Sequence, residues 1–291
     1  MKRLTLAEYR YLALHNTSVR QSWTLSFARQ WWPSMSLRSV FAFRDYKLRA
    51  EKGDLIKGNK IKLRMRSPIR GEIILRETGT DVLTFDEVLV EQVYKSVLPY
   101  LRECDYVVDL GANIGLTSLY FANCYPGCRV VAVEPNPSTY DVLCANLSEL
   151  VKTGRCTTLK AAIWGSETVL IADQPKNPEH YSAFATHRAS GPVLFGDQIS
   201  GMPLKQIMVE AGFQRIDLLK VDVEGAEVEL FKGDLEWLRS VKCIAIEFHE
   251  GSREAIGFDE IMAHYGFRIV DTNPHTVVAV STSYDERLLR S

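Results

Sequence analysis

From Thr84 to Ser281 the apolar residues fall into two alternating rhythms: stretches with an apolar face at helical spacing, and short runs that are apolar almost throughout. The first rhythm predicts amphipathic helices, and the second predicts strands covered on both faces, as in a parallel sheet. Helices are expected over 84–102, 114–125, 137–151 and 203–212, and strands over 106–110, 129–134, 157–163, 216–222, 242–248, 267–270 and 276–281. Alternation of this kind predicts an α/β domain with a mainly parallel, Rossmann-like sheet of seven strands. Only Asp271-Thr272-Asn273-Pro274-His275 separates the last two strands. That is too short for a crossover helix, so those two are expected to be antiparallel.

The N-terminal part has a different pattern. Tyr9, Leu12, Trp23, Phe27 and Trp31 recur at mixed helical spacing until Pro33, which predicts one or two amphipathic helices. Lys60-Ile61-Lys62-Leu63-Arg64-Met65-Arg66 alternates basic and apolar residues, the pattern of a half-buried strand, with 71–76 as its possible partner. The expected organisation is a basic extension, helical and then a short strand, over 1–70 and a larger domain over 71–291. Trp164 to Arg215 is a long connection with one short predicted helix, expected to be a lid or binding loop. It carries Asp173, His180, Tyr181, Ser182, His187 and Arg188, each more often a solvated loop residue than a substrate contact.

Charge sharpens the division. Residues 1–70 hold 16 Lys and Arg against 4 Asp and Glu, or +12, and the remaining 221 hold 19 against 32, or −13. A basic arm of this kind suits nucleic acid, anionic lipid head groups or a phosphorylated substrate, and equally the acidic body of its own chain or of a partner subunit. The first residues are polar and charged, and no stretch reaches membrane-spanning length, which points to the cytoplasm. The six cysteines lack a C-x-x-C pair and are expected to be reduced thiols rather than zinc ligands.

The chemistry concentrates where strands end. Val107-Val108-Asp109-Leu110-Gly111-Ala112-Asn113-Ile114-Gly115 reads as a strand running into a glycine turn, and Glu134 ends the next strand. Glycines at 111 and 115 allow close approach of backbone to a ligand. A carboxylate at the tip of the following strand can hold both hydroxyls of a ribose. The spacing G-x-x-x-G is not the dinucleotide G-x-G-x-x-G, and a carboxylate at Asp109 would repel phosphate but suits an ammonium group. These features favour S-adenosylmethionine as cofactor. Asp109 and Gly111 are expected to border its methionine end, Asn113 and Gly115 the turn beneath, Glu134 the ribose, and Ala161 and Ala162 the adenine. Pro135 and Asn136 are expected to shape the adenosine pocket, though Asn136 equally suits an N-cap for the next helix.

A third motif, Ile216-Asp217-Leu218-Leu219-Lys220-Val221-Asp222-Val223-Glu224-Gly225-Ala226-Glu227, places Asp222 and Glu224 at the end of the fourth strand, facing the crevice of an open parallel sheet. Glu227 is accounted for by the positive end of a helix macrodipole. With the runs VVDLGANIGLTSLYFA, AVEPNP, AAIWG, IDLLKVDVEGAEVELFKG and IAIEFHE in place, the chain resembles the FkbM family of S-adenosylmethionine-dependent methyltransferases from about Thr78 to His249. KVDVEGAE is the most specific of these strings. The resemblance implies a class I methyltransferase sheet and O-methylation of hydroxyls on sugars, glycans or secondary metabolites. It leaves 1–70 without a counterpart.

Methyl transfer to an alcohol needs removal of the hydroxyl proton as the oxygen attacks. Asp222, Glu224, Glu247 and His249 all fall at the ends of strands four and five. His249 is the first choice of base because an unperturbed imidazole titrates near neutral pH, with Asp222 next. The same cluster could instead hold Mg²⁺, a hard cation that prefers carboxylates and water. Two rival functions stay open: RNA 2'-O-methylation through the basic arm, and a catalytically silent, cofactor-binding assembly subunit.

Overall fold

The computed structural model describes residues 31–172, 186–188, 198–273 and 275–284. Residues 1–30 and the expected loop residues Asp173, His180, Tyr181 and Ser182 lie outside the described residues. The described strands are β1 (Lys60–Met65), β2 (Gly71–Arg76), β3 (Tyr106–Leu110), β4 (Arg129–Val133), β5 (Cys156–Leu159), β6 (Ala161–Ile163), β7 (Thr168–Ala172), β8 (Thr186–Arg188), β9 (Gln198–Met202), β10 (Ile216–Val221), β11 (Val241–Ile246), β12 (Phe267–Thr272) and β13 (Val277–Ser281). The chain separates into two compact units, one ending at Thr78 and one beginning at Gly79.

In the first unit, the helix Leu37–Lys52 starts at Ser36, whose hydroxyl accepts from the Ser39 N–H, and stops at Gly53 in the left-handed region. β1 and β2 form an antiparallel hairpin in which Lys60, Lys62 and Arg64 lie on the exposed face and Leu63 and Met65 are buried. Both strands therefore belong to the N-terminal unit. The expected boundary at 70/71 would cut between two hydrogen-bonded partners, and the observed division falls after Thr78.

The second unit is built on a seven-stranded sheet in the order β12-β13-β11-β10-β3-β4-β5. The pairs β11/β10, β10/β3, β3/β4 and β4/β5 are parallel, and β13 is antiparallel to both its neighbours. This is the expected mainly parallel α/β sheet with one antiparallel strand. All six residues of β10 are buried, because the sheet is covered on both faces. Asp217, fully buried in this strand, accepts from the N–H groups of Asp105 and Tyr106 at 2.8 and 3.0 Å and pairs with Lys242. Burial alone would raise its pKa, but the Lys242 ammonium and these N–H groups outweigh it and hold the carboxyl below its usual range. Asp217 thus fixes the start of β3 from the amino end of the neighbouring strand β10, the end opposite the crevice.

Three expectations change. The single strand 157–163 is two strands: β5 edges the main sheet, and after Lys160 the chain turns so that β6 pairs with β9 instead. The long connection is not one loop, because β6, β7, β8 and β9 make a second sheet in the order β6-β9-β7-β8. Its inner side chains Ala161, Ile163 and Met202 join the main core, and Ala162, Trp164, Leu170 and Ile199 form a small core of their own. The expected helix 84–102 is three pieces: a helix Gly79–Phe85, a π-helical turn Asp86–Glu91 and a 3₁₀ segment Val93–Tyr100. Gln92, at φ 53°, ends the π turn, and Pro99 is incompatible with a continuing α-helix.

Candidate active site at the carboxyl ends of the parallel strands

At the end of β3 the backbone turns at Gly111, with φ 70°. The N–H groups of Gly111 and Ala112 both reach the Val133 carbonyl, at 3.0 and 2.9 Å, which locks the turn against the end of β4. A Cβ on Gly111 would stand 1.7 Å from the Asp222 carbonyl oxygen, so the turns after β3 and β10 approach as closely as backbones allow. Gly115 has a different task. It starts the helix Leu116–Cys124 at φ 84°, and a Cβ there would press on Leu147 at 3.1 Å. It lines neither of the two cavities of the site.

The first cavity is lined by Gly111, Asn113, Glu134, Pro135, Ala161 and Ala162, among others. Glu134 is buried; its Oε2 accepts from the Asn113 N–H and its Oε1 from the Asn136 N–H, both at 2.9 Å. These two bonds orient the Glu134 carboxylate at the wall of the cavity. Asn136 is not part of the lining. Its Oδ1 accepts from the N–H groups of Ser138 and Thr139, making it the N-cap of the helix Pro137–Asn146.

Asp109 also departs from expectation. It is fully buried, lines neither cavity, and accepts the Ser118 hydroxyl at 2.6 Å. Lys220, directly opposite it in the parallel register, brings Nζ to 3.1 Å from Asp109 Oδ1 and 3.6 Å from Asp222 Oδ2. Nζ also donates to the carbonyls of Gly111 at 2.7 Å and Leu110 at 3.2 Å. Burial disfavours the Lys220 ammonium, but the carboxylates of Asp109 and Asp222 more than offset this and raise its pKa above the usual lysine range. Lys220 was not singled out in the sequence, although a lysine inside the apolar run of IDLLKV carries a signal: a charge in a fully covered strand requires partners.

The second cavity continues from the first and shares Gly111, Asn113, Asp222 and Glu224 with it. Glu247 and His249 come from the segment after β11, His275 from the turn before β13, and Glu87 from the π-helical turn, where it is exposed at the rim. His249 Nδ1 lies 2.7 Å from Glu227 Oε1, and Nε2 faces Glu224 at 3.7 Å, Asp222 at 3.8 Å and Glu247 at 4.0 Å. The bond to Glu227 raises the imidazole to about 9, against the opposing effect of burial. Burial pushes Glu224 up to about 7 despite the nearby His249, with Asp222 adding to the rise. Burial and then Asp222 push Glu247 up to about 7 as well. Glu224 has φ 50°, a conformation L side chains adopt at a cost of roughly 1 kcal/mol or more, and strain of this kind gathers at functional sites.

The expected site residues therefore separate by position. Gly111, Asn113, Glu134, Pro135, Ala161 and Ala162 surround one cavity, and Asp222, Glu224 and His249 meet at its junction with the other. Asp109, Gly115 and Asn136 support the crevice from outside it. Glu227, assigned from the sequence to a helix dipole, is fully buried and holds His249 through Nδ1.

The Methyltransferase FkbM domain matches residues 109–269. Methyltransferase sdnD of Sordaria araneosa is 30% identical over 243 residues, covering 74% of this chain and 89% of its own length. The hexuronic acid methyltransferase AglP of Haloferax volcanii is 31% identical over 166 residues, covering 55% of this chain and 63% of its own. The 31-O-demethyl-FK506 methyltransferase FkbM of Streptomyces tacrolimicus is 24% identical over 232 residues, covering 71% of this chain and 89% of its own. With the family domain spanning more than half of the chain, this protein belongs to the FkbM family of methyltransferases.

Proposed function

We propose that the protein transfers a methyl group from S-adenosylmethionine to a hydroxyl on a sugar, glycan or secondary metabolite. The observation that carries this reading is the meeting of two cavities at Gly111, Asn113, Asp222 and Glu224, one with a ribose-type carboxylate and the other with a cluster of acid–base groups. The name of the FK506 enzyme, a 31-O-demethyl methyltransferase, supports methylation at oxygen, and that of AglP, a hexuronic acid methyltransferase, supports a sugar-type acceptor.

The cofactor fits the residues present. The Gly111 turn leaves the approach that a Cβ would fill, and Glu134, oriented by two backbone N–H groups, lines the same cavity at the end of β4, where a ribose-binding carboxylate belongs. When bound, S-adenosylmethionine supplies an electrophilic methyl group. The chain's own task is to aim an acceptor oxygen along the line of displacement and to take its proton. His249, held charged by Glu227, is poorly suited to accept that proton at neutral pH, and Glu224, with its pKa near neutrality, is the better base. His249 then serves as a fixed positive charge beside it.

A second reading rests on Asp222, Glu224 and His249, whose ligand atoms all lie within 4.8 Å of one another. Two carboxylates and an imidazole suit a hard divalent cation such as Mg²⁺, which would acidify a bound hydroxyl. The two readings part on chelation. Turnover by the base mechanism is expected to survive dialysis against EDTA, whereas turnover abolished by EDTA and restored by Mg²⁺ would transfer the role to the metal.

Purified protein is expected to bind S-adenosylhomocysteine by calorimetry and to label a hydroxylated acceptor from methyl-labelled S-adenosylmethionine. Glu134→Ala is expected to weaken cofactor binding by about 1–3 kcal/mol through loss of charge-assisted hydrogen bonds. Binding without transfer to any acceptor would instead favour an assembly subunit, and labelling confined to RNA ribose would favour 2'-O-methylation.

A further inference from the structure

The acceptor side of the crevice has a charge balance that selects among hydroxylated compounds. Four carboxylates line it: Glu87, Asp222, Glu224 and Glu247. Of the cationic groups there, Lys220 is committed to Asp109, Asp222 and two backbone carbonyls at 2.7–3.6 Å. His249 is committed to Glu227, whose carboxylate lies behind it and is fully buried. With Lys220 held by Asp109 and Asp222 and His249 by Glu227, carboxylates outnumber cationic groups in this lining among the described residues, where His275 is the further candidate cation.

We propose, building on the hydroxyl-methylation reading, that the acceptor is an uncharged or cationic polyhydroxylated group, and that the cavity rejects acceptors carrying a carboxylate or phosphate beside the reacting hydroxyl. Carboxylates accept hydrogen bonds from hydroxyls and ammonium groups but repel anions, and in a half-buried site that repulsion is weakly screened. Glu87, on the π-helical turn, is an exposed residue of this lining. Substitution at Glu87 should therefore change which acceptors enter.

The test uses full-length protein and matched sets of methyl hexosides, each set containing the neutral sugar, its uronic acid and its amino sugar with the same ring stereochemistry. Transfer is measured at about pH 8, where Glu224 and Glu247 are carboxylates, with EDTA and with Mg²⁺. The expected result is methylation of the neutral and amino members with kcat/KM for the uronic acid at least about 100-fold lower, and a Glu87→Lys variant in which that gap closes by about 10-fold or more. A uronic acid methylated as well as its neutral partner, under either condition, overturns the proposal. The same sets are titrated into the protein saturated with S-adenosylhomocysteine by ligand-observed NMR. Preferential binding of the amino sugar supports the proposal even where no transfer occurs, and that combination would sink the methylation reading alone. Equal or tighter binding of the uronic acid, or binding of no member, counts against the proposal itself.

Discussion

Gly111→Ala is expected to abolish measurable binding of S-adenosylhomocysteine and to destabilise the fold. A Cβ at this position meets the Asp222 carbonyl at 1.7 Å, a backbone atom that cannot swing aside, and φ of 70° is itself unfavourable for alanine. The left-handed conformation costs roughly 1–2 kcal/mol and the overlap a further 1–3 kcal/mol or more as the end of β10 is pushed away. Because that displacement moves Asp222, Glu224 and the floor of both cavities together, cofactor affinity should fall by at least about 100-fold, or about 2.7 kcal/mol. Gly127→Ala is the control, since a Cβ there meets nothing within 4 Å. Urea unfolding and calorimetry on the two variants check the prediction, and a Gly111→Ala protein that binds like the parent would show that the turn does not shape the cofactor site.

The second large effect concerns the proton. Glu224 and Glu247, both raised to about 7, are neutral acids below that pH and carboxylates above it, so turnover should rise through about pH 7. The two face the same cluster, and the rising limb belongs to them jointly. His249, raised to about 9, loses its positive charge above that pH, and turnover should then fall. Glu224→Gln is expected to lower turnover by about 10²–10⁴-fold with cofactor affinity little changed, the usual range for loss of a general base. His249→Gln should remove the falling limb. Turnover that instead keeps climbing through pH 9, with the climb lost in His249→Gln, would return the role of base to the histidine.

The surroundings of His249 show where sequence reasoning reaches its limit. An imidazole in IAIEFHE suggests a base poised near neutrality, since nothing local perturbs it. Its perturbation comes from Glu227, which the sequence places in the first turn after β10 and assigns to a helix dipole. The residues stand 22 positions apart and meet because β10 and β11 are parallel neighbours. Asp109 tells the same story from the other side: a carboxylate at a strand end reads as a ligand contact, but the register of β3 against β10 sets it opposite Lys220, which buries it as a counter-ion.

Local chemistry was sufficient for the strands of the main sheet and for several residues that gather in the first cavity. Apolar runs identified the strands of the main sheet, the turn at Asp271–His275 required the antiparallel pair, and glycine followed two residues later by Asn113 marked the close turn at the end of β3. These features depend on a few neighbouring residues, whose conformational preferences and burial pattern act within one element. Only the tertiary structure decided the breaks within 84–102 and 157–163, the second sheet made with residues 198–202, and the charge states around His249. Hydrogen-bond partners and electrostatic fields come from whatever the fold places within a few ångströms, and such partners can lie anywhere along the chain.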